Sequence, residues 1–313
     1  MKPLVSIIIP TRNRPAPLRE ALASLAGQTA VADQTEVIVV NDGGLNIAPT
    51  IRYARDLGLD ARLITHRRRR GLPVARNSGL QAASGDFVGF LDDDDVLLPH
   101  HLVTALKAHD EDRLDAVYTT CLVSPRRLNP ASTVTGVPHR FDVDFDPELL
   151  SVCNFMPVHS LLFRRLPDTA RFDPTLPALE DWDMWLRLVR DHGARLRHIP
   201  EPTVIYHRIR DTGSMTGDAA RQVAAFNTFG DLLRGLWRRW PTESAKVTRF
   251  RGWLGVLYWH VLARLAADRP VNPFYYERCV QTLVSAWNGL QTEDDLIERL
   301  AATVVEETDA PTD

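Results

Sequence analysis

The N-terminal third of the chain alternates between short apolar runs and segments of helical periodicity. The apolar runs end at polar turns, which is typical of buried strands. The segments between them place apolar residues three and four positions apart, which predicts amphipathic helices. The expected strands cover 4–9, 36–40, 61–65 and 87–91, and the expected helices cover 17–25, 51–57 and 73–83. Strands that alternate with helices in this way predict a mostly parallel α/β sheet.

The rest of the chain continues this pattern and then changes to a helical region. The continuation adds expected helices at 99–109 and 180–193, strands at 116–123, 158–164 and 203–207, and an irregular loop over 125–147. From residue 218 the strand alternation is lost, and Pro241 and Pro270 divide what remains into several helices. We therefore expect one domain over 1–217, a C-terminal helical region over 218–305, and a disordered acidic tail over 306–313.

The polar groups of the expected sheet gather at the carboxyl ends of its strands. Thr11, Asp42, Asp92 and Asp94 each lie at or just beyond the end of an apolar run. In an open α/β sheet, ligands bind at this edge. The sequence therefore predicts one ligand site to which several separate stretches of the chain contribute.

Four consecutive carboxylates, from Asp92 to Asp95, follow the fourth expected strand. Adjacent anions repel one another, and some would bind protons unless a cation lay among them. Carboxylate oxygens suit a hard divalent metal whose other ligands are water and phosphate oxygens. Because side chains alternate along an extended chain, Asp92 and Asp94 are expected to point the same way. The alternative is an acidic turn that only solvates a strand end, but the apolar strand before it favours the metal site.

Composition narrows the class of protein. The 313 residues carry a formal charge of −3, with 25% charged and 44% hydrophobic residues, so no general attraction to nucleic acid or to anionic membranes is expected. The three cysteines are odd in number and widely spaced, which favours reduced thiols in a cytoplasmic setting. The N-terminal apolar run is too short for a signal sequence, and no run approaches the roughly 18 apolar residues that span a bilayer.

Five short motifs carry a resemblance to a known family. They are Ile9-Pro10-Thr11-Arg12-Asn13, Val40-Asn41-Asp42-Gly43, Ala75-Arg76-Asn77-Ser78-Gly79, Phe90-Leu91-Asp92-Asp93-Asp94-Asp95 and Glu180-Asp181-Trp182. Each alone is a weak signal, but together, over roughly residues 3–216, they resemble the family 2 glycosyltransferases. The resemblance implies a GT-A fold, which is a Rossmann-like, mostly parallel sheet flanked by helices. It also implies metal-dependent, inverting transfer of a sugar from a nucleotide-diphosphate donor, here a UDP-sugar, to a hydroxyl acceptor.

For the metal, the resemblance identifies Asp92-Asp93-Asp94 as the Asp-X-Asp (DXD) motif. Asp94 is then the ligand of Mn²⁺ or Mg²⁺, and Asp92 contacts the donor ribose or the waters of the metal. Such a cation would neutralise the charge that grows on the leaving diphosphate. Asp93 would be solvated or paired with an arginine beside the donor. His207 is a further candidate metal ligand, although a lone histidine at a strand end more often has a structural role.

For the donor, the resemblance implies that Asp42 accepts the imide N–H of uracil. The alternative for Asp42 is a turn residue before two glycines. Further contacts with uridine or diphosphate are expected from four stretches, namely the first strand end, the arginine-rich loop with the glycine after it, the expected helix 73–83 and the loop after 207: Pro10, Thr11, Arg14, Arg68, Gly71, Arg76, Arg208 and Arg210. The arginine run could equally be a solvated surface. A buried guanidinium at position 76 would need a carboxylate or diphosphate partner.

For the chemical step, the resemblance implies that Asp181 is the catalytic base, with Glu180 beside it. An inverting transfer needs a carboxylate that takes the proton of the acceptor hydroxyl during its attack on the anomeric carbon. The alternative is that both acids only favour the N-terminus of their helix through its dipole. Trp182 is expected either to stack on a sugar or to lie in the core.

Other functions and partners remain open at this level. The segment Asp92-Asp93-Asp94-Asp95-Val96 also fits the motif of haloacid-dehalogenase-type phosphatases, although that motif usually follows the first strand of the fold. A catalytically silent sugar-nucleotide-binding scaffold is a second alternative. The class of the hydroxyl acceptor is not encoded in a readable motif. The aromatic and arginine residues after 218 leave peripheral membrane contact and a homodimer through the C-terminal helices as alternatives.

Overall fold

The computed structural model describes residues 2–29, 31–111, 114–129, 137, 139–167, 169–209 and 223–305. These residues form two compact units. The first unit draws on 1–137 and 156–207, and the second on 138–155 and 208–313. The expected domain boundary at residue 217 and the expected acidic tail both lie outside the described residues, so both stay predictions.

The strands, in chain order, are β1 (Val5–Thr11), β2 (Thr35–Asp42), β3 (Asp60–His66), β4 (Phe87–Phe90), β5 (Val96–Leu97), β6 (Ala116–Ser124), β7 (His139–Phe141), β8 (Leu161–Arg164) and β9 (Leu196–His207). In the first unit they follow the order β3-β2-β1-β4-β8-β6-β9-β5. The pairs among β3, β2, β1 and β4 are parallel, as is the pair β6–β9. Strand β8 runs antiparallel to both of its neighbours, and β5 runs antiparallel to β9. The predicted mostly parallel sheet is therefore confirmed.

The helices, in chain order, are α1 (Pro15–Ala26), α2 (Ala48–Asp56), α3 (Leu72–Ala82), α4 (His101–Glu111), α5 (Pro147–Leu150), α6 (Glu180–Arg190), α7 (Val223–Arg239), α8 (Ala245–Ala266), α9 (Tyr275–Trp287) and α10 (Leu296–Thr303). Helices α1 to α4 and α6 belong to the first unit, where they alternate with strands. Prolines occupy the first turns of α1, α2 and α3, where their missing N–H costs no intrahelical bond.

The core of the first unit explains why its central strands read as continuous apolar runs. All residues of β1 and β2 are buried because the sheet is covered on both faces. Phe90 meets the ring of Phe172 edge-on at 5.2 Å, and Phe163 stacks on Trp185 at 5.1 Å. Trp182 is 1% exposed and therefore belongs to this core, not to a sugar-stacking surface.

Two departures from the expected strands have local causes. Strand β9 begins at Leu196, seven residues before the expected start at 203, although Pro200 and Pro202 interrupt its apolar pattern. The register between β6 and β9 shifts on both sides of Thr120, which accommodates this irregular stretch. Strand β5 has only two residues, too few for any periodicity to be read from the sequence.

The second unit contains α5, β7 and the four helices after residue 222 that the structure describes. Its core includes Phe226, Tyr258 and Tyr275. Arg251 is buried and donates to the carbonyl oxygens of Ser151 (2.9 Å) and Trp240 (2.8 Å). It therefore connects α8 to the chain after α5 and to the chain after α7. The predicted helical character after residue 218 is confirmed for residues 223–305. No helix among the described residues has both the length and the apolar character that crossing a membrane requires.

One buried histidine makes folding of the first unit sensitive to acid. His101 is 2% exposed, and its Nδ1 lies 2.7 Å from Thr203 Oγ1. Burial, with smaller effects from His159 and His100, lowers the pKa of His101 to about 3. Below the ordinary imidazole pKa of about 6.5, the unfolded chain takes up a proton that the folded chain refuses until about pH 3. The stabilisation from neutral His101 is therefore present above pH 6.5 and lost as the pH falls.

We expect His101→Asn to reduce this acid sensitivity, because asparagine does not titrate and its amide can still reach Thr203. Between about pH 5.5 and 4, the free energy of unfolding should fall more steeply for the wild type than for His101→Asn. The two slopes should differ by about 1.4 kcal/mol per pH unit. Urea unfolding at a series of pH values measures both slopes. Equal slopes for wild type and variant would show that His101 can be protonated within the folded protein.

Candidate functional site

The strand ends that carry the predicted site lie side by side. Thr11 is the last residue of β1, Asp42 is the last residue of β2, and Asp92 follows β4 by two positions. Because β1 pairs in parallel with both β2 and β4, these three ends form one edge. The Thr11 hydroxyl donates to Asp93 Oδ2 at 2.6 Å, which joins the end of β1 directly to the acidic run after β4. Pro10, the residue before Thr11 in β1, is also buried.

Arg14, three residues after β1, is in direct contact with the acidic run. Its Nη1 donates to Asp94 Oδ2 at 2.8 Å and to Asp93 Oδ1 at 3.2 Å. Burial, together with repulsion from Asp94, raises the pKa of Asp93 to about 7 despite the bonds from Thr11 and Arg14. Burial and the charge of Asp92 also raise the pKa of Asp94. The protein's own cations therefore do not fully compensate the negative charge of this run.

The last acid of the run is directed into the interior. Asp95 is fully buried, and its Oδ1 accepts the backbone N–H of His207 at 2.8 Å. Its Oδ2 lies 3.1 Å from His159 Nδ1, but neither atom has a hydrogen-bond partner of good geometry. Potential ligand atoms of Asp92, Asp95 and His159 all lie within 4.8 Å of one another. Sequence reasoning missed His159, because nothing in its neighbourhood along the chain marks it.

His207 is held by two bonds to the protein. Its Nε2 accepts the N–H of Leu128 at 3.2 Å, so its Nδ1 carries the proton that it donates to the carbonyl oxygen of Asp94 at 2.7 Å. Both ring nitrogens are thereby used, and neither offers a lone pair to a metal. The structure favours the structural alternative for this residue over the metal ligand.

Arg76 connects the acidic run to the first turn of α6. The guanidinium is 2% exposed; Nη2 donates to Asp92 Oδ1 at 2.8 Å and Nη1 donates to Glu180 Oε1 at 2.6 Å. Burial alone would raise the pKa of Asp92, but the charge of Arg76 lowers it below its ordinary value. Glu180 is almost completely buried, and burial raises its pKa although Arg76 opposes the shift. The pairing of Arg76 with a carboxylate fits the expectation for a buried guanidinium at this position.

We expect Arg76→Lys to lower the free energy of unfolding by about 1–3 kcal/mol, because one ammonium group cannot replace two guanidinium nitrogens directed at different carboxylates. One of the two acids, Asp92 or Glu180, would lose its partner. Urea unfolding at neutral pH measures the change, and the exposed Arg52→Lys serves as the matched control. A loss no greater than that of the control would show that the bridge contributes nothing to stability.

The two acids at the start of α6 differ in exposure. Asp181 is half-buried, whereas Glu180 is 3% exposed. The N-cap of the helix is Leu179, whose φ of +63° is unusual for a branched side chain and turns the chain sharply into Glu180. The N–H of Trp182 bonds to Asp181 Oδ1 at 2.7 Å, so the helix terminus fixes this carboxylate.

Asn77 anchors the segment that leads to these acids. Its amide nitrogen donates to the carbonyl of Phe172 at 2.8 Å, and its amide oxygen accepts the N–H of the same residue at 2.9 Å. This paired contact ties α3 to the chain that enters α6. Asn77 is part of the Ala75–Gly79 motif, but the sequence does not indicate that it bonds to the backbone of Phe172.

Asp42 lies in a closely bonded environment. Its Oδ1 is 2.7 Å from His66 Nδ1 and 2.8 Å from the amide nitrogen of Arg70, and its Oδ2 is 2.8 Å from the amide nitrogen of Gly71. Burial alone would raise the pKa of Asp42, but these bonds lower it. The carboxylate is therefore an ionised acceptor that organises the loop 67–71.

The arginine loop rests on the turn after β2. Gly43 has a φ of +68°, and a Cβ at this position would lie 2.3 Å from the backbone nitrogen of Arg69. The glycine thus allows the loop backbone to come into contact with the turn. The side chains of Arg67 to Arg70 are exposed. The amide of Gly71 therefore contacts Asp42, and the backbone of Arg68 lies against Gly43, the next residue.

The last two candidate residues belong to another part of the chain. Arg208 lies in the second unit, where its Nε is 3.1 Å from Glu277 Oε1 and its Nη2 donates to the carbonyl of Pro273 at 2.9 Å. Its side chain is 4% exposed, so it has a protein partner and little contact with solvent. Arg210 lies outside the described residues.

Comparison with known proteins assigns the chain to a family. The sequence profile of the family described as glycosyl transferase family 2 matches residues 6–169, more than half of the chain. The glycosyltransferase YwdF of Bacillus subtilis is 30% identical over 205 residues, which are 64% of this chain and 73% of YwdF. The chain spans less than half the length of several other curated relatives that it matches.

Solved structures support the same fold. The TarS fragment 1–349 of S. aureus in complex with UDP-GlcNAc has a TM-score of 0.52 at 16% identity, covering 94% of this chain and 93% of that one. The mannosyltransferase PcManGT of Pyrobaculum calidifontis, in complex with GDP-Man and Mn²⁺, has a TM-score of 0.60 at 18% identity, covering 97% and 85%. These similarities confirm the predicted GT-A fold with its helical C-terminal region, and the family profile identifies an enzyme that uses a nucleotide-sugar donor. The chain belongs to glycosyl transferase family 2.

Proposed function

We propose that this enzyme transfers a sugar from a UDP-sugar to a hydroxyl group, with inversion at the anomeric carbon and with help from a divalent metal. The observation that carries the proposal is the buried bridge through Arg76. One guanidinium binds both Asp92, in the acidic run, and Glu180, next to the proposed base. A donor held at Asp92 and an acceptor placed at Asp181, the residue after Glu180, would therefore meet at one fixed separation.

In this proposal, Asp181 takes the proton of the acceptor hydroxyl. It is half-buried at a helix terminus, which can hold it rigidly while leaving part of it accessible. Glu180 is a positioning residue, because Arg76 binds it and almost no solvent reaches it. The two neighbouring acids thus have different roles that follow from their exposure.

The residues of the acidic run fit Mn²⁺ or Mg²⁺. The ligand atoms that the acidic run itself offers are carboxylate oxygens, and burial together with like charges raises the pKa of Asp93 and Asp94. We propose Asp94 and Asp92 as the residues that hold the cation, since their side chains are 19% and 29% exposed and a diphosphate could reach them. Asp95 and His159 are 0% and 2% exposed, and are for that reason the less favoured ligand set. When bound, the metal would act as a Lewis acid toward the leaving diphosphate.

The donor side of the proposal uses the first strand end and the arginine loop. Asp42 would accept a base N–H, and Arg68 or Gly71 would lie close to the nucleotide. Arg14, which binds Asp94 here, would exchange part of this contact for the diphosphate when a donor binds. The likeness to a structure with UDP-GlcNAc and to another with GDP-Man supports a nucleotide-sugar donor, and Asp42 favours uridine.

The phosphatase alternative is not favoured. The first acid of its motif would have to act as a nucleophile, yet Asp92 is bound by Arg76, and the family profile covers this stretch as a glycosyltransferase. A cytoplasmic location is part of the proposal, because all three cysteines are buried and none of them forms a disulfide. The hydroxyl acceptor stays a prediction, and peripheral membrane contact and a homodimer through the C-terminal helices stay open alternatives.

A thermal-shift screen of nucleotide sugars, each with and without Mn²⁺, tests the proposed donor. We expect UDP-sugars to raise Tm in the presence of Mn²⁺, by the equivalent of about 2.7 kcal/mol when the ligand is at a hundred times its Kd. GDP-sugars and sugar phosphates serve as the comparison set. Stabilisation by no nucleotide sugar at all would contradict the proposed donor. In a separate activity assay, release of phosphate without any acceptor would contradict the proposed transferase.

A further inference from the structure

A second layer of residues supports the carboxylate proposed to read the donor base. His66 lies at the end of β3, opposite Asp42 in the parallel β2–β3 register. Its Nδ1 is 2.7 Å from Asp42 Oδ1, and its Nε2 is 2.9 Å from Ser78 Oγ on α3. Because ionised Asp42 can only accept, His66 Nδ1 must donate. The ring is therefore fixed in one orientation between a strand end and a helix.

The number of bonds to Asp42 limits what else it can accept. A carboxylate offers about four acceptor positions. His66 and the amide of Arg70 occupy both positions on Oδ1, and the amide of Gly71 occupies one on Oδ2. One position, on Oδ2, is left. The side chain of Asp42 retains 8% exposure, so it is almost enclosed.

The two backbone donors cannot easily move away. The loop that supplies them lies against Gly43 so closely that a methyl group would overlap Arg69 and Arg68 backbone atoms at 2.3 and 2.4 Å. Gly71 itself has a φ of +96° and is the N-cap residue just before α3, which fixes the direction of its N–H. Among the three donors, His66 is the one that a side-chain substitution can remove.

We propose that His66, held by Ser78, is a specificity-determining positioning residue: by occupying Oδ1, it leaves Asp42 able to accept a single N–H from the donor base. Uracil presents one imide N–H to such a group. Guanine presents two adjacent donors, N1–H and N2–H, which need both carboxylate oxygens for a paired contact. This inference rests on the proposed function, and it predicts a preference for UDP over GDP that depends on His66.

The preference is measured as the ratio of Kd for GDP to Kd for UDP, by calorimetry with saturating Mn²⁺. In the wild type we expect the ratio to exceed ten. His66→Leu opens a position on Oδ1 and should reduce the ratio about tenfold. His66→Asn restores a donor close to the place of Nδ1 and should keep the ratio within about threefold of the wild type.

A matched control separates this role from general packing. His198 is also 8% exposed and is bonded to another hydroxyl, that of Thr120, within the first unit. His198→Leu makes the same substitution at an equally buried histidine, and we expect it to leave the ratio unchanged. If His66→Leu does not fold, Ser78→Ala decides the matter, since loss of the Oγ contact should loosen the ring and reduce the ratio about threefold.

Several results would overturn the inference. These are a wild-type ratio near one, a ratio that His66→Leu or Ser78→Ala leaves unchanged, or an equal change in His198→Leu. In each of these cases UDP binding itself would persist, and the proposed transferase would stand. Failure of the wild type to bind UDP at all would refute the proposed donor and this inference together.

Discussion

Asp181→Asn is expected to lower kcat by about a hundredfold to ten-thousandfold, the range typical of a lost general base. Asparagine has almost the same shape as aspartate and can still accept the N–H of Trp182, so the turn at the start of α6 should persist. It cannot take a proton from the acceptor hydroxyl. Donor binding should be unaffected, because no donor contact is assigned to this residue.

The measurement pairs transfer rates with the Kd for UDP, each in the presence of Mn²⁺. Asp191→Asn provides the control, since it makes the same substitution at an exposed position at the C-terminal end of α6. We expect the control to match the wild type. Normal turnover by Asp181→Asn, or a loss of rate confined to Glu180→Gln, would mean that Asp181 is not the base.

The second large effect is expected from Asp94→Asn, which should lower kcat/KM by about a hundredfold or more. A metal that stabilises a developing charge contributes several kcal/mol, and each 1.36 kcal/mol corresponds to a factor of ten. The variant would lose an anionic ligand. Its bond with Arg14 would also weaken, because a neutral amide oxygen replaces a charged one.

The decisive readout is the dependence of UDP binding on Mn²⁺. For the wild type we expect EDTA to weaken UDP binding, and for Asp94→Asn we expect a Kd that hardly changes when EDTA is added. Asp86→Asn, at an exposed position in the same unit, is the matched control and should keep the full dependence on Mn²⁺. If Asp94→Asn retained that dependence, another residue would have to hold the metal.

The sequence predicted the elements that depend on local pattern. Strands β1 to β4 and helices α1 to α3 fall close to the expected ranges, because buried strands and amphipathic helices are encoded by nearby residues. It also placed Thr11 and the acidic run at one edge, since parallel strands bring their carboxyl ends together.

Other features depend on contacts between distant residues and could not be predicted. Strand β8 runs antiparallel to β4 and β6, but its four residues, Leu161–Arg164, give no indication of that direction. His66 reads as an ordinary strand end until the β2–β3 register places it opposite Asp42. The same applies to Glu180, whose pairing with Arg76 separates its role from that of its neighbour Asp181.

Two residues that were expected to contact the metal or the donor, His207 and Arg208, are bonded to other protein groups in the folded chain. His207 uses both ring nitrogens for Leu128 and Asp94, and Arg208 pairs with Glu277 in the second unit. A sequence shows which groups could bind a ligand, but not which of them the protein already binds. Satisfying buried polar groups takes precedence because an unpaired one costs about 1–3 kcal/mol.

The central claim is that the partly exposed acids Asp92 and Asp94 hold a cation beside the donor diphosphate, across from Asp181. The most direct test is a crystal of the protein grown with UDP and Mn²⁺, with the anomalous signal of manganese recorded. We predict one peak bonded to a carboxylate oxygen of Asp94 and to the diphosphate, with Asp92 next to it. A peak between Asp95 and His159, or UDP bound with no manganese beside it, would contradict the account.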